Sequence, residues 1–320
     1  MTIHPDAMNR FPEKKPIPWR TVNPSPVRAG APACSHWAST ISGIAFAPMM
    51  NRYLQLFRIG NAVMGFLGVM IASLMAVGTD ILDYWQNLII AVVIVFMFIA
   101  GGNSLNDYID RDIDKTAHPE RPVPSGRMKP EEARNIGVAL LILSVVASFL
   151  TLDPICIAIV AIACVLMFSY ELFLKQRGFV GNVTIAVLTG MTFLMGGAVV
   201  GAAEANVIVA AMACLVSVGR EIAKDIEDMD SDEGRHTLPM AIGIKASAAV
   251  ACVFFIAGPV LSIAPVIWDS YGILYYLVVF ADAIFVYCAF IVFRNPHKAE
   301  KAAKIGMMLG LVAFLLGALF

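Results

Sequence analysis

Nine long apolar runs, separated by short polar connections, dominate the pattern of hydrophobic and polar positions along the chain. Each run is close to the roughly 20 residues that an α-helix needs to cross the hydrocarbon core of a bilayer. The apolar residues are continuous rather than alternating, which favours helices over the strands of a membrane barrel. The pattern predicts an all-α protein with nine transmembrane helices at about residues 54–78, 87–107, 133–152, 154–173, 180–202, 206–227, 244–265, 271–293 and 303–320.

The composition supports an integral membrane protein. Of 320 residues, 59% are hydrophobic and only 15% are charged, against about 25% charged in soluble domains. The six cysteines lie one per segment without the spacing of a metal site, so they are interpreted as packing residues. We expect the lipid bilayer to surround most of the protein. We expect it to bind neither nucleic acid nor an obligate protein partner.

Basic residues are confined to one side of the predicted topology. The connections GTDILDYWQN, TLDPI, GAAEAN and PVIWDSYG contain no Lys or Arg, and all 23 basic residues lie on the other side or in helix ends that face it. The positive-inside rule makes that side the cytoplasm. The sequence therefore predicts a multi-pass cell-membrane protein with a cytoplasmic N-terminus. Residues 1–49 are Pro-rich and are predicted to be a disordered or untranslated tail before a membrane domain at 50–320.

Two predicted helices end in matching acidic segments, NDYIDRDID and DIEDMDSD. Their carboxylates repeat with the spacing i, i+3, i+7, which spans only about 60° of a helix surface. Each helix therefore presents a narrow row of oxygen ligands at the cytoplasmic edge. A solvated helix end would explain one row, but identical spacing in two rows favours a shared function. The first row is Asp107, Asp110 and Asp114, with Asn106 beside it, and the second row is Asp225, Asp228 and Asp232.

The two acidic rows are 118 residues apart, which is close to the length of four helices. The helices that precede them also look alike, with GNAVMGFLGVM from Gly60 and GNVTIAVLTGM from Gly181. We interpret this as a four-helix unit used twice, as helices 1–4 and 5–8, followed by a ninth helix. Such a repeat would place the two rows across a central cavity, with the loops at 115–132 and 232–243 as a cytoplasmic cap.

The chemistry of the rows favours a hard cation. Facing carboxylates repel one another, and a divalent cation relieves that repulsion. Asp and Asn oxygens suit Mg²⁺, which leaves room for phosphate oxygens, whereas the lack of His in the rows argues against zinc. Basic side chains near the rows would suit a diphosphate, although many are equally explained as cytoplasmic anchors. They are Arg58, Arg121, Arg127, Lys175, Arg177, Arg220, Lys224 and Arg235.

The paired motifs NDYIDRDID and DIEDMDSD resemble those of the UbiA-type intramembrane prenyltransferases, over about residues 50–320. The stretches RIGNAVMG and GREIAKDIEDMDSDEGRHTLPMAIG are most similar to the archaeal ether-lipid branch of that family, although Ile59 stands where this branch is expected to have Pro. The resemblance implies transfer of a geranylgeranyl group from geranylgeranyl diphosphate to the hydroxyl of geranylgeranylglyceryl phosphate. The products would be digeranylgeranylglyceryl phosphate and diphosphate.

The resemblance also implies roles for individual residues. Tyr170 and Lys175 match the Tyr and Lys that the family has beside the diphosphate and the allylic carbon, and Asn61 joins the basic residues in the substrate-binding set. An apolar pocket for the chains has the candidate wall residues Phe168, Phe173, Phe193 and Met195. Two Mg²⁺ ions would bridge the diphosphate to the rows, with ligands from Asn106, Asp107, Asp110, Asp114, Asp225, Asp228 and Asp232.

Two other functions fit parts of the pattern. A UbiA-type enzyme with an aromatic acceptor, such as 4-hydroxybenzoate or a quinone or chlorophyll precursor, would use the same metal chemistry. A secondary transporter would also have internal repeats and intramembrane acids. Transport sites usually lie near the bilayer midplane on broken helices, whereas these acids are predicted at one edge, so transport is the weaker alternative.

Overall fold

The described residues of the chain lie in helices or in short connections between them. The computed structural model describes residues 46–229, 236–268 and 270–320. Most of the predicted tail at 1–49, together with Asp232 and Arg235, therefore lies outside the described residues. The α-helices are α1 (Phe46–Phe57), α2 (Ile59–Val77), α3 (Trp85–Ile109), α4 (Asp114–Ala117), α5 (Pro130–Ser148), α6 (Pro154–Ser169), α7 (Phe179–Val199), α8 (Val207–Asp228), α9 (Leu238–Ile242), α10 (Ile244–Leu261), α11 (Ala264–Ile267), α12 (Val278–Ile291) and α13 (Pro296–Leu319).

Eight helical stretches in the described part of the chain are long and apolar enough to cross a membrane. The first, Ile59–Ile109, contains two α-helices, α2 and α3, which the 3₁₀ segment Gly78–Tyr84 joins. Helix α2 folds back and packs closely against α3. The packing is so close that a Cβ atom on Gly65 would overlap the side chain of Ile99. The predicted all-α, multi-pass membrane fold is confirmed.

Two predicted helix boundaries are wrong. The first predicted span, 54–78, is broken at Arg58, whose backbone is left-handed with a φ of +48°. Such a conformation costs a non-glycine residue about 1–2 kcal/mol, which the contacts of its side chain offset. The last helix starts at Pro296 rather than near residue 303. Its start is fixed by the Asn295 side chain, which accepts a hydrogen bond from the Lys298 N–H, and by proline at the first helical position.

Small residues bring the long helices into close contact at two places. A Cβ atom on Gly101 of α3 would lie 3.1 Å from the carbonyl oxygen of Gly137 on α5. A Cβ atom on Gly219 of α8 would lie 3.2 Å from the carbonyl oxygen of Ala251 on α10. Small residues at such positions let helix backbones approach closely inside a membrane. Helices α3 and α8, which end in the two acidic rows, are therefore each fixed against a neighbour in the same way.

Helix α1 packs against the connection between α4 and α5. Its Leu56 side chain is fully buried in a cluster with Val123, Met128 and Ala133. The Tyr53 hydroxyl donates a hydrogen bond of 2.8 Å to Glu132. The connection that follows the first acidic row is thus held in place by a helix from the start of the described chain.

We expect Leu56→Ala to lower the free energy of unfolding by about 2–5 kcal/mol, because truncating a buried leucine leaves a cavity. Thermal unfolding of the purified protein in detergent measures the loss. The matched control is Leu54→Ala on the same helix, since Leu54 is exposed. Equal melting temperatures for the two variants would contradict a structural role of α1.

Candidate active site

The first acidic row remains together although its helix ends within it. Helix α3 ends at Ile109 and Asp114 begins α4, so the row is not one continuous helix as predicted. Helical hydrogen bonds persist through the junction, from the Asp110 N–H to the Asn106 carbonyl and from the Asp114 N–H to the Asp110 carbonyl, both at 2.8 Å. The three carboxylates are buried, with exposed fractions of 0% for Asp107, 9% for Asp110 and 3% for Asp114.

Each carboxylate of the first row pairs with a basic side chain from a different segment of the chain. The pairs are Arg58–Asp107 at 2.6 Å, Arg121–Asp114 at 2.6 Å, and Lys175–Asp110. Arg58 also donates to the Asn106 side-chain oxygen at 3.0 Å, which explains how its left-handed backbone is held. Buried charges are tolerated when they are paired and hydrogen-bonded in this way. The row is therefore charge-balanced by residues of the chain itself.

Glu171 adds a fourth buried carboxylate to this cluster, with an exposed fraction of 6%. It accepts a hydrogen bond of 3.2 Å from the Asn106 amide and lies 3.4 Å from the Lys175 ammonium. Glu171 belongs to a turn of π-helix, Tyr170–Leu174, which continues α6, and such turns are frequent at functional sites. The sequence interpretation missed Glu171; the available signal was an acid four residues before Lys175 within an apolar run.

The described part of the second acidic row lies at the end of α8. Asp225 and Asp228 are partly buried there, and Asp225 accepts a hydrogen bond of 2.8 Å from the Asn182 amide of α7. Asn182 was also missed, although it holds the same place in GNVTIAVLTGM as Asn61 holds in GNAVMGFLGVM. Asn61 itself is exposed on α2. Of these two asparagines, Asn182 is the one with a contact to an acidic row among the described residues.

A tight turn at 174–182 contacts both acidic rows. One of its ends bears Lys175, which pairs with Asp110, and the other bears Asn182, which binds Asp225. The two ends are close to each other. A Cβ atom on Gly181 would lie 3.6 Å from the Lys175 Cα atom. Asp110 and Asp225 therefore bond to side chains of one compact segment.

The remaining predicted binding residues have contacts or exposure of other kinds. Arg127 donates to the Gln55 side chain at 2.8 Å, and so fastens its loop to α1. Arg220 pairs with Glu221 and lies 3.7 Å from Glu300 of α13. Tyr170 is partly buried at the start of the π turn. The side chains of Arg177 and Lys224 are exposed.

An apolar cavity lies on the non-polar side of the first row, among α2, α3, α6 and α7. Its volume is about 80 Å³, and part of it is open to the surroundings. Val69, Phe98 and Ala163 line it, together with the predicted wall residue Met195. Phe173, another predicted wall residue, is instead largely exposed. Along α3, this apolar space lies roughly two turns or more from the acidic row.

Comparisons with known proteins agree with this arrangement. The UbiA prenyltransferase family matches residues 66–316 of the chain. Digeranylgeranylglyceryl phosphate synthase of Methanosphaera stadtmanae is 36% identical over 280 residues, which cover 84% of this chain and all of the relative. The enzyme of the same name from Thermococcus kodakarensis is 38% identical over 276 residues, covering 83% of this chain and 98% of the relative.

Solved structures share the fold. One from work on digeranylgeranylglyceryl phosphate synthase in membranes matches with a TM-score of 0.74 and 33% identity, covering 85% of this chain and 99% of that one. A UbiA homologue from Archaeoglobus fulgidus bound to DMAPP and Mg²⁺ has a TM-score of 0.59 at 13% identity, covering 82% of this chain and 99% of that one, which is a likeness of fold alone. Sequence and fold agree, and the chain belongs to the UbiA prenyltransferase family.

Proposed function

We propose that the chain is a Mg²⁺-dependent enzyme that transfers a geranylgeranyl group from geranylgeranyl diphosphate to the free hydroxyl of geranylgeranylglyceryl phosphate. The products are digeranylgeranylglyceryl phosphate and diphosphate. The synthases at 36% and 38% identity, which are named for this product, support the choice of substrates. The observation that carries the proposal is the turn at 174–182, because its residues Lys175 and Asn182 contact Asp110 of one row and Asp225 of the other, and this supports a diphosphate shared by the two rows.

The donor set of the two rows fits magnesium. Mg²⁺ is usually held by one or two carboxylates together with waters and substrate phosphates, rather than by an all-protein cage. This agrees with the described residues, in which no three Asp, Glu, His or Cys side chains form a ready-made metal site. Asp107 supports the fit, because its Oδ2 atom is buried without a hydrogen-bond partner among the described residues. Two ions, one for each row, would then be completed by diphosphate oxygens, with Asp232 as the outermost ligand of the second row.

The basic side chains that now pair with the first row are suited to a diphosphate. Lys175, Arg58 and Arg121 could turn from the carboxylates to phosphate oxygens when a metal takes their place, so that no charge is left unpaired. Bound Mg²⁺ would stabilise the negative charge that develops on the leaving diphosphate. The Lys175 N–H donates a hydrogen bond of 2.9 Å to the Tyr170 carbonyl, and an aromatic ring face close to the diphosphate would stabilise a cation-like allylic carbon. The apolar cavity would exclude water from that carbon.

The proposed topology has nine membrane crossings, with α2 and α3 as the first two and α13 as the last. Helices α2, α3, α5 and α6 form one repeat unit, and α7, α8, α10 and α12 form the other. The equivalent glycine contacts support this, since Gly101 and Gly219 are 118 residues apart, like the acidic rows. The positive-inside pattern supports a cytoplasmic active site and N-terminus, with the loop at 115–132 as part of a cap.

Product identification tests the proposed reaction. Purified full-length protein is incubated with geranylgeranyl diphosphate, Mg²⁺ and either geranylgeranylglyceryl phosphate, 4-hydroxybenzoate or a quinone precursor, and the products are identified by mass spectrometry. We expect digeranylgeranylglyceryl phosphate and stoichiometric diphosphate from the first acceptor only. A prenylated aromatic product would assign the chain to the other acceptor class, and ion movement across vesicles without diphosphate release would favour a transporter.

We expect Glu171→Gln to lower the rate of transfer by about 10–100-fold, the usual cost of removing an outer partner of a metal site. Glutamine preserves the shape of the side chain but removes the negative charge beside Lys175, so Lys175 would bind Asp110 more tightly in competition with the metal. Initial rates at several Mg²⁺ concentrations measure this effect. Glu131→Gln is the control, because Glu131 is exposed at the start of α5. A Glu171→Gln variant as active as this control would exclude Glu171 from the site.

A further inference from the structure

The guanidinium of Arg127 holds the peptide unit that leads into Arg121. Its Nη2 atom donates a hydrogen bond to the carbonyl oxygen of Glu120, the residue directly before Arg121. Its Nε atom donates to the Ser125 Oγ atom at 2.9 Å. The chain turns back in this way at Gly126, which has a left-handed φ of +73°, a conformation that glycine adopts without a steric penalty. Arg127 therefore closes a small loop from residue 120 to residue 127.

Helix α1 holds this closed loop from the outside. The Arg127 Nη2 atom also donates to the side-chain oxygen of Gln55 at 2.8 Å. The Arg52 Nη1 atom donates to the carbonyl oxygen of Arg127 at 3.1 Å. Both partners belong to α1, and they bind the side chain and the backbone of the same residue. One exposed arginine thus connects α1 to the backbone that precedes Arg121.

The Arg121 guanidinium points from this loop to the first acidic row. It lies 2.6 Å from the Asp114 carboxylate and 3.8 Å from that of Asp107, and both carboxylates are buried. The carbonyl oxygen of Arg121 accepts a hydrogen bond of 3.0 Å from the Ser125 N–H, and the next residue, Pro122, is fully buried. The backbone at Arg121 is therefore held on both sides. A side chain that is ordered in advance loses less entropy when it binds a ligand.

We propose that Arg127 is a positioning residue for Arg121, and that Gln55 of α1 completes the arrangement. The proposal rests on the proposed function, in which Arg121 turns from Asp114 to a diphosphate oxygen. Arg127 acts on the diphosphate through Arg121 and not by contact, because its Nε and Nη2 atoms already donate within the loop and to α1. The helix before the first membrane span thereby takes part in binding the donor.

Single substitutions test the two positioning residues by their kinetics. We expect Arg127→Ala and Gln55→Leu to lower kcat/KM for geranylgeranyl diphosphate by about tenfold or more, because a small misplacement of a binding group costs up to about 10²-fold in rate. The KM for the acceptor should change little. Gln55→Glu keeps an acceptor for the Arg127 guanidinium and should retain wild-type kinetics. Arg134→Ala is the matched control, since it removes an exposed arginine of α5 whose guanidinium contacts the Asn135 side chain.

A double-mutant cycle separates positioning from direct binding. Arg121→Gln removes the charge but keeps a hydrogen-bond donor for Asp114. In this background, Arg127→Ala should have little further effect, because no guanidinium is left to position. If Arg127 contacted the diphosphate itself or supported the fold in general, the two losses would add, and additive losses would overturn the proposal. If Arg127→Ala melts well below the wild type, Gln55→Leu replaces it in the cycle, since Gln55 is exposed and loses one hydrogen bond.

Binding of inorganic diphosphate tests the same idea without the reaction. Full-length protein in detergent is titrated with diphosphate and Mg²⁺ in a calorimeter. We expect Arg127→Ala, Arg121→Gln and the double variant to raise the Kd by similar factors of about tenfold or more, and Arg134→Ala to leave it unchanged. This pattern in a protein that makes no digeranylgeranylglyceryl phosphate would overturn the proposed reaction and support the positioning role. An active protein in which Arg127→Ala binds diphosphate as tightly as the wild type would overturn the positioning role alone.

Discussion

Asp110→Asn and Asp228→Asn are each expected to lower the rate of prenyl transfer by at least about 10²–10³-fold, the usual cost of losing one preorganised electrostatic group at a reacting centre. Asparagine keeps the size of the side chain and one oxygen ligand, but it removes the charge that a divalent cation requires. At Asp110 it also frees Lys175, which keeps Glu171 as a partner at 3.4 Å. The fold should therefore survive while catalysis is lost, and initial rates with matched thermal unfolding curves measure both.

Asp112→Asn is the matched control from the same acidic segment. Asp112 is exposed, and the Lys115 ammonium, 2.8 Å away, holds the pKa of its carboxyl below the ordinary value. Its side chain points away from the buried row, so we expect a near-normal rate. If Asp110→Asn retained the rate of this control, a catalytic role for the first row would be ruled out. If only Asp228→Asn remained active, the two rows would not share one diphosphate.

The helices could be predicted from the sequence because a membrane imposes length and polarity on each one. Continuous apolar runs of about 20 residues have few alternatives to a spanning helix. The break at Arg58 could not be predicted, since no glycine marks its left-handed backbone and the contacts that hold it come from Asn106 and Asp107, almost fifty residues away. Local patterns specify helices, but long-range side-chain contacts decide where this helix is interrupted.

The candidate site was predictable only in part for the same reason. Helical spacing identified the acidic rows, because residues at i, i+3 and i+7 share one face whatever the fold. The pairing of Lys175 with Asp110 and of Asn182 with Asp225 depends on how α6 and α7 dock against α3 and α8. Glu171 was missed because a single acid in an apolar run has many interpretations until its neighbours are known. Sequence periodicity thus finds ligands on one helix, whereas the structure is needed to find their partners.

Removal of divalent metal is the second change with a large expected effect. We expect EDTA to reduce prenyl transfer to background and added Mg²⁺ to restore it fully. Without metal, the first row remains neutralised by Arg58, Lys175 and Arg121, so the melting temperature of the apoprotein should change little. This stability separates the prediction from a structural metal, whose removal unfolds small metal-dependent domains. Rates and thermal unfolding of the same sample provide both measurements.

The dependence of the rate on free Mg²⁺ distinguishes one ion from two. If each row binds one Mg²⁺ ion and the reaction needs both ions, the rate at limiting metal should rise with nearly the square of the free Mg²⁺ concentration. Asp228→Asn should move saturation of the rate to higher Mg²⁺, because it weakens only the site of the second row. Ca²⁺ should restore little activity, since its longer bonds and higher coordination number do not match the compact octahedral geometry of Mg²⁺. A first-order dependence in the wild type would contradict the second ion, and full activity in EDTA would contradict metal dependence altogether.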